Sequence, residues 1–367
     1  MNESLAFHLL NRLPGCGAKT LRFLVGSFGS AVAAWTADES EWQRLGQPRL
    51  AAMAAARRTI DPESEQLSLR EAAITVVSFT DPAFPALLAE IPDAPALLYV
   101  RGSFQDWNQR PLIAIVGSRK FTNYGKQVAT ELTRHLSHAG YVIVSGLAFG
   151  IDSIAHEAVL ETGGITLAVI GSGINDRSIS PQTHLNLAHE IIERGALLSE
   201  LAPGTNASVG TFPARNRIMA GMCQGIVVVE AAEASGSLIT ARLALDYNRE
   251  VFAVPGSIFS PASTGTHQLI KDGARLVTGI QDILEEFSGN HPSHVTHPDT
   301  DLTPPADLSP DEIHIYTTLT HEALHIDKLT MLVRLETTRV SMALTRLELR
   351  GLVKNIGNMH YIKNHKT

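Results

Sequence analysis

Cysteine is scarce: Cys16 and Cys223 are the only two in 367 residues. They stand far apart in unrelated contexts, which excludes a disulfide framework and a metal knuckle and leaves two packing thiols. No apolar run reaches membrane-spanning length, and the first residues lack a basic start followed by an apolar block. A cytoplasmic protein with no membrane partner is therefore expected. Positive charge is not in excess either. A formal net charge of −7 argues against a globally basic nucleic-acid coat, though not against a local basic site. The signatures of nucleotide-driven chemistry are missing as well. A P-loop ends in Gly-Lys-Ser/Thr so that amides, lysine and hydroxyl share the phosphates and magnesium, and neither Gly125-Lys126-Gln127 nor Gly17-Ala18-Lys19-Thr20 supplies it. A dinucleotide site would need three spaced glycines after the first strand and an acid ending the second, where this chain has Gly117-Ser118-Arg119-Lys120 and Ser145. No Ser-His-Asp order, Cys-His pair or zinc spacing emerges, so neither a metal nor a cofactor is expected.

What is present is a persistent alternation of strand and helix. Leu112–Val116 is an apolar strand running into Gly117-Ser118-Arg119-Lys120, with a helix capped at Thr122 or Asn123. Tyr141–Val144 is a second strand, ending in the turn Ser145–Gly150, with Asp152 placed to cap the next helix. Further strands are expected at Ile165–Ile170, Ala196–Leu201, Ile226–Glu230, Val251–Val254 and Arg275–Val277. Helices fit between them at Tyr124–Ala139, Ser153–Thr162, His184–Arg194, Arg215–Met222, Leu238–Tyr247 and His267–Lys271. Gly140, Gly163 and Gly195 occupy the positions of helix-ending glycines. Strands that are apolar along their whole length belong to a parallel sheet covered on both faces, a doubly wound α/β domain. Ligands of such sheets lie at the carboxyl ends of the strands, where turn amides and helix N-termini suit anions.

The flanks differ in kind. Residues 1–60 read as a small helical domain in which Pro14-Gly15-Cys16-Gly17 has the layout of a helix-hairpin-helix turn. A plain bundle with a glycine turn is favoured, because Lys19 is the only nearby cation before Arg22. Residues 61–287 form the α/β domain; within it, strands at Ile74–Phe79 and Leu97–Val100 are placed to extend the sheet at one edge. Residues 288–309 are proline-rich and read as a linker; its evenly spaced His291, His294 and His297 lie in a tract that rarely preorganises a metal site. Residues 310–367 read as three helices and a hairpin, a winged helix. Its third helix carries Arg339, Arg346 and Arg350, followed by Lys354, and the residues leave open whether its partner is nucleic acid or protein.

Candidate catalytic groups are few. Asp152 and His156 share a helical face and Glu230 ends a strand, but a cap, a helix-face histidine and an arginine partner describe them more simply. Positive charge is concentrated elsewhere: Arg119 and Lys120 leave the first strand, and Arg215 and Arg217 are placed at a helix opening where dipole and guanidinium favour phosphate. Phe121, Tyr124, Phe149 and Phe212 occur at the same turns, with Lys271 placed nearby. Cations interleaved with aromatic faces suit a single nucleic-acid strand, charges following the backbone while bases stack on rings. Against this stand internal ion pairs with Glu200 or Glu230.

Several motifs occur in one order: Val116-Gly117-Ser118-Arg119 with Tyr124-Gly125, Val144-Ser145-Gly146-Leu147-Ala148 with Gly150-Ile151-Asp152 and Ala155-His156, and Gly171-Ser172-Gly173. Ser199-Glu200, Phe212-Pro213-Ala214-Arg215-Asn216-Arg217, Val228-Val229-Glu230-Ala231, Ser235–Ala241 and Val254-Pro255-Gly256 before Gly265-Thr266 follow. This pattern closely resembles the DNA-processing protein A (DprA/Smf) family, the N-terminal helices looking like its SAM-like or helix-hairpin-helix extension. The resemblance implies an extended Rossmann-like fold and a non-enzymatic protein that binds single-stranded DNA, shields incoming strands during natural transformation and loads the RecA recombinase. It also implies a homodimer and a strand-binding pocket around Arg119, with Ser118, Lys120, Ser145, Gly146, Phe149, Gly171, Gly173, Phe212, Arg215, Asn216 and Arg217 as its candidates. Double-stranded DNA or a protein is the implied partner of the winged helix. One departure is clear: many relatives carry Tyr-Pro and often a lysine after the Gly-Ser-Gly turn, where this chain has Ile179-Ser180-Pro181-Gln182, and Arg177 is the nearest cation. The alternative, a nucleotide phosphoribohydrolase on a similar fold, needs a Pro-Gly-Gly-x-Gly-Thr run, and this chain reads Pro255-Gly256-Ser257.

Overall fold

The computed structural model describes residues 1–103, 106–288, 308–319, 324–357 and 359–363. It divides into two compact units, Met1–Asn290 and His291–Thr367, each taken here by itself. The first begins with six helices, α1 (Glu3–Asn11), α2 (Ala18–Phe28), α3 (Ala31–Thr36), α4 (Glu39–Arg44), α5 (Pro48–Ala56) and α6 (Pro62–Glu71). Strand β1 (Thr75–Ser78), the short α7 (Ala86–Ala89) and β2 (Leu97–Gly102) follow. The alternating part then runs β3 (Leu112–Val116), α8 (Asn123–His138), β4 (Val142–Ser145), α9 (Ile151–Glu161), β5 (Thr166–Val169), α10 (Leu185–Arg194) and β6 (Ala196–Ser199). It continues through α11 (Thr211–Met222), β7 (Gly225–Val228), α12 (Gly236–Asp246), β8 (Glu250–Ala253), α13 (Thr264–Lys271), β9 (Arg275–Leu276) and α14 (Ile280–Ser288).

The nine strands form one sheet in the order β1-β2-β6-β5-β4-β3-β7-β8-β9. All neighbours from β6 to β9 run parallel, and β5-β4-β3-β7-β8-β9 is the doubly wound order of Rossmann-like domains. Strands β2 and β1 extend the sheet antiparallel at one edge, beside β6. Every residue of β3, β4, β5, β6 and β7 is buried, as strands with helices on both faces require. Helix α8 shows why the crossovers form: Thr122 caps it by accepting from the Gly125 amide at 3.1 Å, Ala129, Leu132 and Leu136 line its inner face, and Gly140 ends it at φ +89°. Gly195 ends α10 as expected, its amide donating to the Ile191 carbonyl at 2.7 Å, but not in the left-handed conformation. Its φ is −135°, and it is glycine because a Cβ there would overlap the Thr166 carbonyl across the sheet.

The N-terminal helices share a hydrophobic core with the sheet. Leu5, Phe7, Leu9, Leu21, Leu24 and Trp42 cluster with Val76, Leu97, Tyr99, Ala168 and Leu197. Arg22, the cation weighed against a helix-hairpin-helix site, lies 4.1 Å over the Phe79 ring and donates to the Pro95 carbonyl, so it docks α2 onto the sheet. Cys16 and Cys223 are both buried and free, as packing thiols should be. One polar chain crosses this core: His8 Nε2 lies 2.8 Å from Glu65 and Nδ1 lies 2.9 Å from the Tyr99 hydroxyl, which also accepts from Asn11 at 3.1 Å. Burial lowers the His8 pKa. A carboxylate can only accept, so Nε2 carries the proton of the neutral ring and Nδ1 takes the Tyr99 O–H.

The second unit is a winged helix: α15 (Pro310–Thr318), β10 (Leu324–His325), α16 (Ile326–Val333), α17 (Thr337–Leu349), β11 (Val353–Asn355) and β12 (His360–Lys363), with sheet order β10-β12-β11. Its core holds Ile315, Leu329, Val340, Leu344 and Leu347. Arg339 of α17 is forked onto Asp311 at 2.7 and 2.9 Å, and Lys363 lies 4.2 Å over Tyr316. His291, His294 and His297 lie outside the described residues.

Replacing Tyr99 with Phe removes the proton that His8 accepts and the acceptor that Asn11 uses, both inside the shared core. A loss of about 1–3 kcal/mol is expected by urea denaturation, and unchanged stability would show that the chain is not maintained in solution.

Candidate functional site

The carboxyl ends of β3, β4 and β5 each run into a glycine turn; the first two turns are pressed together, and the third packs on the loop after β6 and on α11. After β3, the Ser118 hydroxyl donates to the Lys120 carbonyl at 2.7 Å and accepts from the Lys120 amide at 3.0 Å, closing the Gly117–Lys120 turn. After β4, Leu147 and Gly150 take positive φ of 56° and 87°. A side chain on Gly150 would overlap Ser118, and the Ile151 amide donates to the Ser118 carbonyl at 3.2 Å. After β5, a Cβ on Gly173 would fall 2.8 Å from the Ala202 carbonyl, and one on Gly171 would press at 3.2 Å on the Phe212 ring. Ser145 is buried, its hydroxyl given to the Ile115 carbonyl at 2.7 Å.

Helix α11 departs from the sequence reading in a way that matters. It starts at Thr211, so Arg215 and Arg217 sit a turn inside it and point into the protein rather than at the dipole end. Arg215 is 6% exposed; its Nη1 donates to the carbonyls of Gly146 at 2.6 Å and of Val169, and its Nε to Asn216 at 3.0 Å. Asn216 is buried beside it. Asp152 is also buried and acts on Arg215 electrostatically. It stands second in α9, where Gly150 is the cap, and accepts from the Gly146 amide at 3.1 Å. Burial pushes the Asp152 carboxyl up, opposed by Arg215 and by the amides of Ala148 and Gly146. Arg217 is bound to Glu200, with Asp93 at 3.8 Å. The two arginines placed at the rim by sequence are thus buttresses beneath it.

Other expectations are corrected by the same packing. Glu230 pairs with no arginine among the described residues; it accepts from the amide and hydroxyl of Thr122 at 2.9 and 2.6 Å and so anchors the start of α8. Lys271 closes α13, a crossover that runs from the carboxyl rim back toward the amino ends of the strands, which carries it away from the turns. His156 gives its Nδ1 proton to Thr166 at 2.7 Å, because the Thr166 hydroxyl is itself spent on the Ile143 carbonyl at 2.9 Å. Burial, then Arg215 and His184, push the His156 pKa down to about 3, so the ring is neutral near pH 7 and no proton acceptor for a reaction at the rim. Among the described residues no group of three or more His, Cys, Asp or Glu is placed to hold a metal.

What the rim leaves open is cationic and aromatic. Arg119 and Lys120 are exposed, and neither makes an ion pair among the described residues. The Arg119 guanidinium lies 5.7 Å from the centre of the Phe212 ring, and its charge reaches both Asp152 and Arg215. Phe149 is half exposed, edge-on to His184 at 4.8 Å, and Phe121 and Tyr124 face solvent. In the loop that departs from the family pattern, Gln182 turns inward onto the carbonyls of Asp176 and Ile179 at 2.8 and 2.9 Å, while Arg177 is exposed. Sequence reasoning missed the Arg215–Asp152 buttress and the Thr122–Glu230 anchor; both pair residues far apart in the chain, and no local periodicity signals them.

Fold and site together define an extended Rossmann-like domain with cations and ring faces at its carboxyl rim, carried in one chain with a winged helix. Residues 75–288 match the model of the family described as DNA recombination-mediator protein A, and residues 299–357 match that of the DprA winged helix domain. The chain belongs to the DNA recombination-mediator protein A family. It is 43% identical over 218 residues to the DNA processing protein DprA of Bacillus subtilis, covering 59% of this chain and 73% of that one. It is 30% identical over 397 residues to the protein Smf of Synechocystis, covering 98% and 99%. The X-ray structure of DNA processing protein A from Streptococcus pneumoniae superposes with a TM-score of 0.67 at 36% identity, over 80% of this chain and 99% of that one. A structure of the Helicobacter pylori protein, described for its single-stranded DNA binding mode, superposes at 0.53 with 30% identity, over 59% and 97%.

Arg215→Met leaves Asp152 buried without its cation and frees the Gly146 and Val169 carbonyls, so a loss of about 3–5 kcal/mol is expected in chemical denaturation. Arg119→Ala is expected to stay within about 0.5 kcal/mol of the parent protein. Equal stabilities for the two variants would contradict the division of labour between them.

Proposed function

We propose that this protein binds single-stranded DNA across the carboxyl rim of its sheet, shields incoming strands during natural transformation, and loads a RecA recombinase onto them for homologous recombination. It does so as a cytoplasmic homodimer and without a catalytic step. The observation that carries the reading is Arg119: exposed, in no ion pair among the described residues, and set over the Phe212 ring beside the glycine turns. A phosphate meets the Arg119 guanidinium and Lys120, while bases stack on Phe212 and Phe149; neither contact depends on base identity. The description of the Helicobacter pylori relative supports this choice of ligand. The buried, neutral His156 and the internally bonded hydroxyl of Ser145 support a binding site rather than a reaction centre. For the phosphoribohydrolase alternative the glycine-rich run is missing at Pro255-Gly256-Ser257.

The winged helix belongs to a different interaction in this reading. Its α17 exposes Met342, Thr345, Arg346 and Leu349 to solvent, while Arg339 is held by Asp311.

Two outcomes test the proposal. In electrophoretic shifts over a salt series, single-stranded oligonucleotides are expected to bind in preference to duplexes, weakening as salt rises, and Arg119→Ala is expected to lower that affinity by about 10- to 100-fold, the worth of a charge-assisted contact. Unchanged affinity would sink the site. Deleting residues 299–367 is expected to leave single-strand binding within about threefold, because the rim is built wholly from the first unit; collapse of binding would move the main contact to the winged helix.

A further inference from the structure

The loop after β8 holds the most exposed pair of adjacent large apolar side chains among the described residues: Ile258 is 81% exposed and Phe259 is 89%. Single exposed apolar residues are ordinary, but two together at a loop tip point to a contact. The loop is firmly held. The Ser260 amide donates to the Ser257 carbonyl at 3.0 Å and the Phe259 amide to the Ser257 hydroxyl at 3.3 Å, closing a turn with Ile258 and Phe259 at its crest. Behind it the Tyr124 hydroxyl donates to the Pro255 carbonyl at 2.7 Å, and His267 lies 3.1 Å from the Gly256 carbonyl.

This crest sits on the same rim as Arg119. Strands β3, β7 and β8 are neighbours, so the turns after β3 and β8 are separated by two strand spacings, about 10 Å, a distance that one or two nucleotides span. Tyr124, 47% exposed, stands between them in the first turn of α8, with a Cβ on Gly256 falling 3.9 Å from its ring. Charge changes along this path: Lys120 and Lys126 are exposed at its start, whereas the intervening loop after β7 exposes Glu233. A stretch with rings and a carboxylate but few cations is suited to base faces rather than phosphates.

We propose that Phe259, flanked by Ile258 and Tyr124, is a second base-stacking station that extends the bound single strand from the Arg119 turn across the β7 and β8 end of the rim. The inference rests on the reading of the rim as a single-strand site and adds to it the direction in which the strand leaves.

Fluorescence anisotropy with labelled oligothymidylates of two lengths, about 2 and about 20 nucleotides, separates the two stations, since about two nucleotides cover the Arg119 turn alone and the longer strand reaches the crest as well. The doubly substituted Ile258→Ser, Phe259→Ala protein is expected to bind the long oligomer about tenfold more weakly and the short one unchanged, while Phe259→Trp keeps full affinity and its new indole is quenched by the long oligomer only. Unchanged affinity for the long oligomer, or an equal loss for both, would overturn the second station. So would a changed sedimenting mass in the double variant, which would make the crest a contact between copies of the chain. If Arg119→Ala still abolishes binding while the double variant is silent, the rim stands and only this extension falls. If the parent protein binds neither oligomer, both fall.

Discussion

A buried guanidinium is the constraint on which the rest of the site depends. Arg215 reaches from α11 under the sheet's carboxyl rim, takes the carbonyls of Gly146 and Val169, and offsets the charge of Asp152. A cation and an anion removed from water are tolerated only when nearly every donor and acceptor is satisfied, and here the partners come from three segments, the turn after β4, the end of β5 and the start of α9. The planar five-donor head of arginine can serve them together, which a lysine ammonium cannot. Gly146 is part of the same lock, since any Cβ at that position would overlap the guanidinium. The turns after β4 and β5 are thus fixed relative to each other and to α11 before any ligand arrives.

Fixing the turns from beneath is what leaves Arg119 free above them. The neighbouring arginines are consumed by Asp152, Glu200 and Asp93, and the acid that sequence reading offered as a partner, Glu230, is committed to Thr122. The rim therefore carries unneutralised positive charge in a protein whose net charge is −7. Local charge placement decides such a case, and the overall sign does not. A rim whose backbone is already ordered loses little entropy on binding, and that suits a ligand as flexible as an unpaired strand.

Much of this was legible in the sequence wherever the signal was local. Leu112–Val116 and the other core strands are apolar along their length because helices cover both faces, and Gly140 and Gly163 end helices because only glycine takes positive φ readily. Thr122 as a cap and the three helices of the winged helix are signals of the same kind. The failures all concern partners distant in sequence. Helix α11 begins four residues before Arg215, behind Gly210, which has no side chain to signal a cap, and this shift turns both arginines inward. Asp152 looks like a cap by spacing, yet its carboxylate faces the Gly146 amide and Arg215. Gly195 stops α10 as it looks to, and the sequence hides only that it is also a close approach between strands. Periodicity reports which face of an element is buried, not which charge waits on the other side.

The central claim is that the open face of the glycine turns after β3, β4 and β5, with Phe212 beside them, is where an unpaired strand lies. Backbone hydrogen exchange with and without a saturating oligothymidylate tests it most directly. Slower exchange is expected in residues 117–120, 146–150, 171–173 and 208–214, with 337–349 unchanged. Protection confined to 337–349, with the turns exchanging as in the free protein, would contradict it.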